Sequence, residues 1–257
     1  MIAVRRLNIT PVKGTQLQRV DEVRLDADGV RENRRFYLVN DQDEMVNSLR
    51  MGGLHTAVCS YSEKDRRLKL ELPDGQAIEE PIEVGPEIST DFYGQPKTAR
   101  LVEGSWSEVL SELGGQRLRL VEAGPEGAVD RGPRAAVSVI SQASLKRLAG
   151  AGDLDAIDSR RFRMLVEVDG VDAHAEDAWV GSTVRVGEAL VAFEGHVGRC
   201  NITTRNPVTG QVDLPTLTLL GTYRQELDTT EPLAFGVYGR VVEPGVVRVG
   251  DAAAIEG

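Results

Sequence analysis

The sequence has few cysteines, histidines and aromatic residues, and each shortage excludes a class of protein. Two cysteines, Cys59 and Cys200, cannot form a disulfide framework, and together with three histidines they show no zinc-ligand spacing. Aromatic residues make up 5% of the chain, so we expect a core of Val, Leu, Ile and Ala. No run approaches the ~20 apolar residues of a membrane-spanning helix. The N-terminus also lacks the apolar stretch of an export signal, so we expect a soluble protein of the reducing cytoplasm.

Basic residues are outnumbered as well, at 30 against 40 acidic residues, which gives a formal net charge of −10. A chain this acidic has no electrostatic reason to bind nucleic acid or an anionic membrane surface. A local basic pocket for a small anion remains compatible with the composition, because net charge does not describe a single cleft. The sequence contains no glycine-rich dinucleotide motif, no phosphate loop and no nucleophile elbow.

Short β-branched runs, broken by Gly, Pro, Asp and Asn, dominate the chain and predict a mostly β protein with frequent turns. Helical spacing is confined to residues 106–113 and 141–148, and residues 215–223 fit either a helix or an extended segment. The Gly- and Pro-rich segment 123–134 predicts a linker. We therefore expect a β-rich domain over residues 1–122 and a β-barrel with one or two helices over residues 123–257.

Cys200 is the residue best placed for chemistry. It follows Arg199, whose guanidinium favours the thiolate, and Gly198 indicates a loop that can approach a ligand. A thiolate is both a nucleophile and a ligand for soft metals, although a lone cysteine is more often a small apolar core residue. His196 lies four residues earlier, a weak signal for a Cys–His pair. Cys59 lies in an alternating strand-like run, which predicts core packing.

Basic residues recur beside the predicted strands and turns. Lys13 follows Pro-Val, Arg34 and Arg35 precede FYLV, and Arg163 ends a run of arginines around Phe162. Arginines can hold a phosphate through paired hydrogen bonds. Taken singly, each is better explained as a solvated residue or as a partner for the surplus carboxylates.

The second half of the chain resembles the MOSC domain, named for the C-terminal part of molybdenum-cofactor sulfurases. The resemblance is carried by RRFRMLVEVDGV, AEDAWVG and GRCNITTRNPVTG, followed by LGTYR, EPLAFGVY and VRVGD. The first half is similar to the β-rich domain that precedes MOSC, through PVKG, NRRFYLV and VNSLR. Within this family, the chain is most similar to the mitochondrial amidoxime-reducing component and its bacterial relatives.

The resemblance implies a fold of a MOSC β-barrel with a few short helices and an N-terminal β-rich domain. It also implies a molybdenum cofactor, a pterin dithiolene, with Cys200 as the protein ligand to molybdenum. The residues that it assigns to cofactor binding are Lys13, Arg35, Ser141, Arg163, Arg199 and Thr203. Ser141 would open a helix, where an anion is stabilised.

Three positions differ from the pattern that the resemblance implies. Gly14 stands where relatives often have Ser, Leu165 stands in place of the Asn of an Arg-Pro-Asn motif, and Val197 stands in place of the first Cys of Cys-Pro-Arg-Cys. The first two changes remove a hydroxyl and an amide, each worth about 1 kcal/mol or more of a polar ligand's binding.

The function implied by the resemblance is molybdenum-dependent reduction of an N-hydroxylated or N-oxide small molecule. The sequence has no four-cysteine iron–sulfur module, so electrons would come from a separate flavin or iron–sulfur reductase. One alternative is a sulfur carrier with a persulfide on Cys200, supplied by a cysteine desulfurase, since no lysine motif here predicts bound pyridoxal phosphate. Another is a non-enzymatic cofactor-binding protein.

Overall fold

The fold is known from a computed structural model, which describes residues 1–125, 127–130, 132–225 and 227–256. Strands dominate these residues, so the mostly β prediction is confirmed. The strands are β1 (Ile2–Ile9), β2 (Gln18–Val20), β3 (Glu22–Leu25), β4 (Phe36–Val39), β5 (Val58–Ser62), β6 (Arg67–Glu71), β7 (Ala77–Pro81), β8 (Val84–Asp91), β9 (Pro96–Val102), β10 (Arg119–Ala123), β11 (Val137–Ser141), β12 (Val166–Asp169), β13 (Thr183–Val186), β14 (Ala189–His196), β15 (Val237–Glu243), β16 (Gly245–Arg248) and β17 (Ala252–Glu256).

The helices form where the sequence showed helical spacing. They are α1 (Trp106–Gly114), α2 (Gln142–Ala151) and α3 (Thr216–Arg224), so the ambiguous third segment is helical. Ser141 caps α2 by accepting a hydrogen bond from the Ser144 N–H, as a residue with an extended backbone can. At 10 residues, α2 is far short of the length that crosses a bilayer, and none of the described helices could do so.

A closed barrel of seven strands forms the larger sheet. Its order is β12-β11-β15-β14-β13-β17-β1, and β1 closes the ring by pairing with β12. The pairing of β11 with β12 is parallel and the others are antiparallel. Closure leaves no free edge within the ring, and β2 extends the sheet beyond the end of β1.

The barrel interior is filled mainly by β-branched side chains, as the low aromatic content predicted. Val139, Val166, Val184, Val191 and Val237 are all fully buried there. Such residues pack well on a pleated surface, and their burial is the main stabilising contribution to the barrel.

The N-terminal part adds smaller sheets around a second core. One sheet has the order β4-β10-β9-β8 and another the order β5-β6-β7. The second core contains the buried Phe36, Leu54, Leu70, Trp106 and Leu120, and α1 packs onto it through Trp106.

The predicted division between residues 122 and 123 remains a prediction. The structure shows that two early strands pair with later ones: β1 belongs to the barrel, and β3 pairs with β16. The predicted linker leaves β10 at Ala123 and reaches a 3-10 turn at Gly132–Ala135, and its Glu126 and Arg131 lie outside the described residues. Both parts therefore contribute strands to shared sheets, and residues from both line one cleft.

Candidate active site

The cleft lies where the N-terminal part, the linker and the barrel meet, and it has a volume of about 250 Å³. That is slightly below the roughly 300–1,000 Å³ of typical small-molecule sites. The side chains that carry its chemistry are Lys13, Arg34, Ser48 and Tyr93 from the N-terminal part, Asp130 from the linker, and Ser138, Arg163, Arg199 and Cys200 from the second half.

Cys200 lies at the cleft wall with its side chain exposed. It follows β14 and precedes a 3-10 turn at Asn201–Thr204, and its own backbone is extended. The Thr203 N–H and hydroxyl both donate to the Cys200 carbonyl, at 3.2 Å and 3.1 Å. These bonds fix the backbone beneath the thiol, so the sulfur is presented from a constrained loop.

Thr203 is a predicted cofactor contact that the structure places at the cleft, although its hydroxyl serves the loop. It is 1% exposed, and its Oγ1 lies 2.5 Å from the Thr216 Oγ1 at the start of α3. The residue therefore ties the cysteine loop to a helix.

Arg199 also lines the cleft, and its guanidinium binds backbone carbonyls behind it. Its Nη1 donates to the Phe162 carbonyl at 2.8 Å and its Nε donates to the Phe235 carbonyl at 2.9 Å. These contacts join the cysteine loop to the segment that carries Arg163. The guanidinium of Arg199 therefore holds the wall of the cleft together.

Three cationic side chains, Lys13, Arg34 and Arg163, line the same cleft. The Lys13 Nζ lies 2.5 Å from an Asp130 oxygen. The Arg163 Nη1 donates to the Thr15 carbonyl at 2.9 Å, whereas its buried Nη2 has no hydrogen-bond partner among the described residues. An unpaired buried donor is costly, and a bound anion is one partner that would relieve that cost.

The electrostatics of this cation cluster (Lys13, Arg34 and Arg163) show the same shortage of negative charge. Burial lowers the pKa of Lys13 to about 8, with repulsion from Arg34 adding to the effect and Asp130 opposing it. Burial and Arg34 also lower the pKa of Arg163 to about 9. Desolvated cations with lowered pKa values gain most when a bound anion joins them.

Backbone strain accompanies the cluster. Arg34 and Arg163 have φ angles of 55° and 54°, in the left-handed region that non-glycine residues seldom occupy. Tyr93, in the turn between β8 and β9, has a φ angle of 59° and lies at the cleft with 55% of its surface exposed. Strained residues of this kind concentrate at ligand sites, and here three of them line one cleft.

Arg35 is a predicted site residue that the structure does not bring to this cleft. Its Nη2 lies 2.9 Å from Glu122 Oε1, and Arg66 pairs with the other oxygen of the same carboxylate at 3.2 Å. Glu122 is buried, so its charge requires these partners. The left-handed backbone at Arg34 directs that neighbour into the cleft instead.

Ser141 also lies away from the cleft. It is fully buried, its N–H donates to Glu176 Oε1 at 3.0 Å, and its hydroxyl lies 2.8 Å from that of Ser144. The anion at the start of α2 is therefore the buried Glu176 carboxylate of the chain itself. The cofactor contact expected of Ser141 stays a prediction, and the structure shows a side chain of the chain itself at this helix end.

The structure also shows the positions of His196 and Cys59, the two weaker candidates. His196 is buried with its Nδ1 accepting the Thr230 N–H at 3.2 Å, and it is not among the described residues that line the cleft with Cys200. Cys59 is fully buried in the second core, which confirms its predicted packing role, and burial raises its pKa to about 12.

Sequence reasoning missed Asp130, Ser48, Ser138 and Tyr93. Asp130 lay in a segment interpreted only as a linker, and Tyr93 in a short turn. A run of Asp-Phe-Tyr-Gly before a strand is an ordinary hairpin signal, so nothing in it marked a ligand site.

Family models match both parts of the chain. The MOSC domain model matches residues 126–254, half of the chain, and the model of the MOSC N-terminal beta barrel domain matches residues 1–107. A search of curated protein sequences found no match.

Among solved structures, the chain is similar to the YUAD protein from Bacillus subtilis, with 13% identity, a TM-score of 0.44, and coverage of 98% of this chain and 94% of that one. It is also similar to YiiM from Geobacillus stearothermophilus, with 16% identity, a TM-score of 0.38, and coverage of 49% and 57%. YiiM from Escherichia coli gives 16% identity, a TM-score of 0.34, and coverage of 53% and 58%. Similarities this low say nothing about the reaction of this chain.

Proposed function

Because this chain belongs to the MOSC family, we propose that its cleft binds the molybdenum cofactor and that the loaded protein reduces N-hydroxylated or N-oxide small molecules. Proteins with a MOSC domain are associated with that cofactor. The observation that carries the proposal is the presence, in one cleft, of an exposed thiol and a cation cluster with an unpaired buried donor.

The cation cluster fits the phosphate of a pterin cofactor. Lys13 and Arg34 supply charge, and Arg163 supplies both charge and the unpartnered Nη2. Arginine suits phosphate because its planar donors match the oxygen atoms, while lysine acts as a compact point charge. Among the described residues that line the cleft, Asp130 supplies the one carboxylate, which is too little to neutralise all three cations.

Cys200 fits the metal end of the same molecule. A thiolate is a soft ligand, and a molybdenum atom already bound by sulfur accepts another soft ligand readily. When bound, the cofactor would supply two-electron oxygen-atom transfer. The chain's own contribution is to hold the Cys200 loop rigid through Thr203 and Arg199, so that the sulfur meets the metal in a fixed position.

The substrate would enter beside Tyr93, whose side chain is exposed at the cleft. Reduction of an N–OH group to N–H takes up electrons and protons and releases water. The electrons would come from a separate flavin or iron–sulfur protein, in keeping with a sequence of two cysteines. An aromatic ring at the entrance offers a surface on which a flat substrate stacks.

A second function is favoured by one observation, the exposure of the Cys200 thiol. A sulfur carrier needs an accessible cysteine that takes sulfane sulfur from a cysteine desulfurase as a persulfide, by exchange at the sulfur atom. The cation cluster has no evident task in that function. A protein that binds the cofactor without catalysis would use the same residues as the enzyme.

Turnover of a panel of amidoximes and N-oxides, with reduced methyl viologen as electron donor, tests the proposal. We expect activity in the wild-type protein, a loss of activity in Cys200→Ser, and retention in the control Cys59→Ala, whose thiol lies in the second core. Bound cofactor without turnover would support the non-enzymatic function. A persulfide on Cys200 in a metal-free protein, detected by intact mass, would support the sulfur carrier.

A further inference from the structure

Gly14 stands beside Lys13 at the cation end of the cleft, and its surroundings explain why this position lacks a side chain. Its φ angle is 103°, which favours glycine. A Cβ atom added there would lie 3.2 Å from the Ser48 Cβ and 3.3 Å from the Ser48 Oγ. The side chain of Ser48 therefore already occupies the space beside Gly14.

Ser48 brings a hydroxyl to the wall of the cleft. It is 5% exposed and lines the cavity together with Lys13 and Arg163. The capping contact of its 3-10 turn is made by Asn47, whose side chain accepts from the Leu49 N–H, so the Ser48 hydroxyl is not used as the cap. The Leu49 carbonyl accepts from Arg205 Nε at 2.7 Å, which fixes the turn against the loop after Cys200.

Ser138 brings a second hydroxyl beside Leu165. Its Oγ accepts the Leu165 N–H at 3.0 Å, and the residue lines the cleft. A hydroxyl that accepts through its oxygen still has its own O–H proton to donate. Leu165 itself turns into the barrel core, where it is 3% exposed.

We infer that Ser48 and Ser138 are hydroxyl donors of the anion site in this chain, because both line the cleft that holds the cation cluster. The inference rests on the proposed function, because it assigns further ligands to the same cleft. It also gives a reason for the glycine: a side chain at position 14 and the side chain of Ser48 compete for one space.

The test measures binding of inorganic phosphate by calorimetry to the full chain, made in a host that lacks the cofactor. Ser48→Ala and Ser138→Ala should each weaken phosphate binding about tenfold, as expected for loss of a hydrogen bond to a charged group. The control Ser60→Ala, on β5 and away from the cleft, should leave binding unchanged. Arg163→Gln serves as the reference for the cation cluster.

A side-chain exchange keeps the test informative if Ser48→Ala folds poorly. Gly14→Ser alone should lower the melting temperature, because it crowds Ser48 and places a side chain at a positive φ angle. Gly14→Ser combined with Ser48→Gly should regain part of that loss and should restore phosphate affinity to within about threefold of wild type, since one hydroxyl again faces the anion.

Two results would overturn the inference. If the serine variants bind phosphate as wild type does while Arg163→Gln binds weakly, the serine roles are wrong and the proposed cofactor site stands. If wild type and Arg163→Gln both fail to bind phosphate, the anion site is wrong, and the proposed function falls with it.

Discussion

Arg163→Gln removes a cation that the folded chain leaves poorly compensated, and its effects on stability and on binding should differ. The Nη1 of Arg163 donates to a backbone carbonyl, and its buried Nη2 has no hydrogen-bond partner among the described residues. Breaking a well-paired buried ion pair costs roughly 3–5 kcal/mol. Here the loss of one hydrogen bond, about 1 kcal/mol, is offset by removal of an unpaired donor worth about 1–3 kcal/mol. The free energy of unfolding should therefore be unchanged or raised by up to about 2 kcal/mol relative to wild type.

Phosphate binding should fall much more. Loss of a charge-assisted hydrogen bond of about 1.5–3 kcal/mol corresponds to a dissociation constant that is roughly 10- to 150-fold larger. Urea unfolding and calorimetry on the cofactor-free protein measure the two quantities. Arg160→Gln is the matched control, because Arg160 lies in the same turn and pairs with Asp158 at 2.6 Å away from the cleft. Unchanged phosphate affinity in Arg163→Gln, or a loss of stability above about 3 kcal/mol, would refute the reasoning.

Three further predictions follow from the same contacts. Because the pKa of Lys13 is lowered to about 8, its charge is present below that pH and is lost above it. Binding of sulfate, whose own charge is constant, should therefore weaken as pH rises through about 8. This pH dependence should shrink in Lys13→Met. A thiol reagent should modify the exposed Cys200 rapidly in the folded protein and should modify Cys59 only after unfolding, since burial raises the pKa of Cys59 to about 12. Equal rates of modification, measured by mass spectrometry, would contradict this. Glu122→Gln should lower the free energy of unfolding by about 1–3 kcal/mol, because the carboxylate holds two guanidinium groups. The same variant should leave phosphate affinity unchanged. A loss of phosphate affinity would place Glu122 and its arginine partners in the anion site.

The sequence was sufficient to predict the mostly β fold and two of the three described helices, and it singled out several residues that line the cleft. β-branched runs and turn residues report directly on strands, and Lys13, Arg163 and Cys200 each stood in a short motif that local chain geometry keeps intact. The predicted cofactor contacts at these positions remain proposals, although the structure brings all three residues to one cavity.

The rest depended on contacts between residues far apart in the chain. Arg34, whose backbone is left-handed, lines the cleft. Arg35 instead pairs with the buried carboxylate of Glu122. Ser141 is buried and donates its N–H to Glu176, which lies 35 residues later in the chain. Such pairings arise only once the sheets close, so no local pattern announces them.

The predicted linker also makes a contact that its composition could not predict. Its Gly and Pro content predicted a linker, yet Asp130 within it pairs with Lys13 across 117 residues of sequence. Composition describes how a segment bends and says nothing about which distant residue it meets.

Molybdenum content tests most directly whether the cleft holds the cofactor through Cys200. The protein and its Cys200→Ser and Cys59→Ala variants would be purified from a host that makes the cofactor, and metal would be measured per folded chain by mass spectrometry. We predict near-stoichiometric molybdenum in the wild type and in Cys59→Ala, with the metal lost or readily removed in Cys200→Ser. A folded wild-type protein without molybdenum, or a Cys200→Ser protein that retains it as firmly as wild type, would contradict the proposed role of this cysteine.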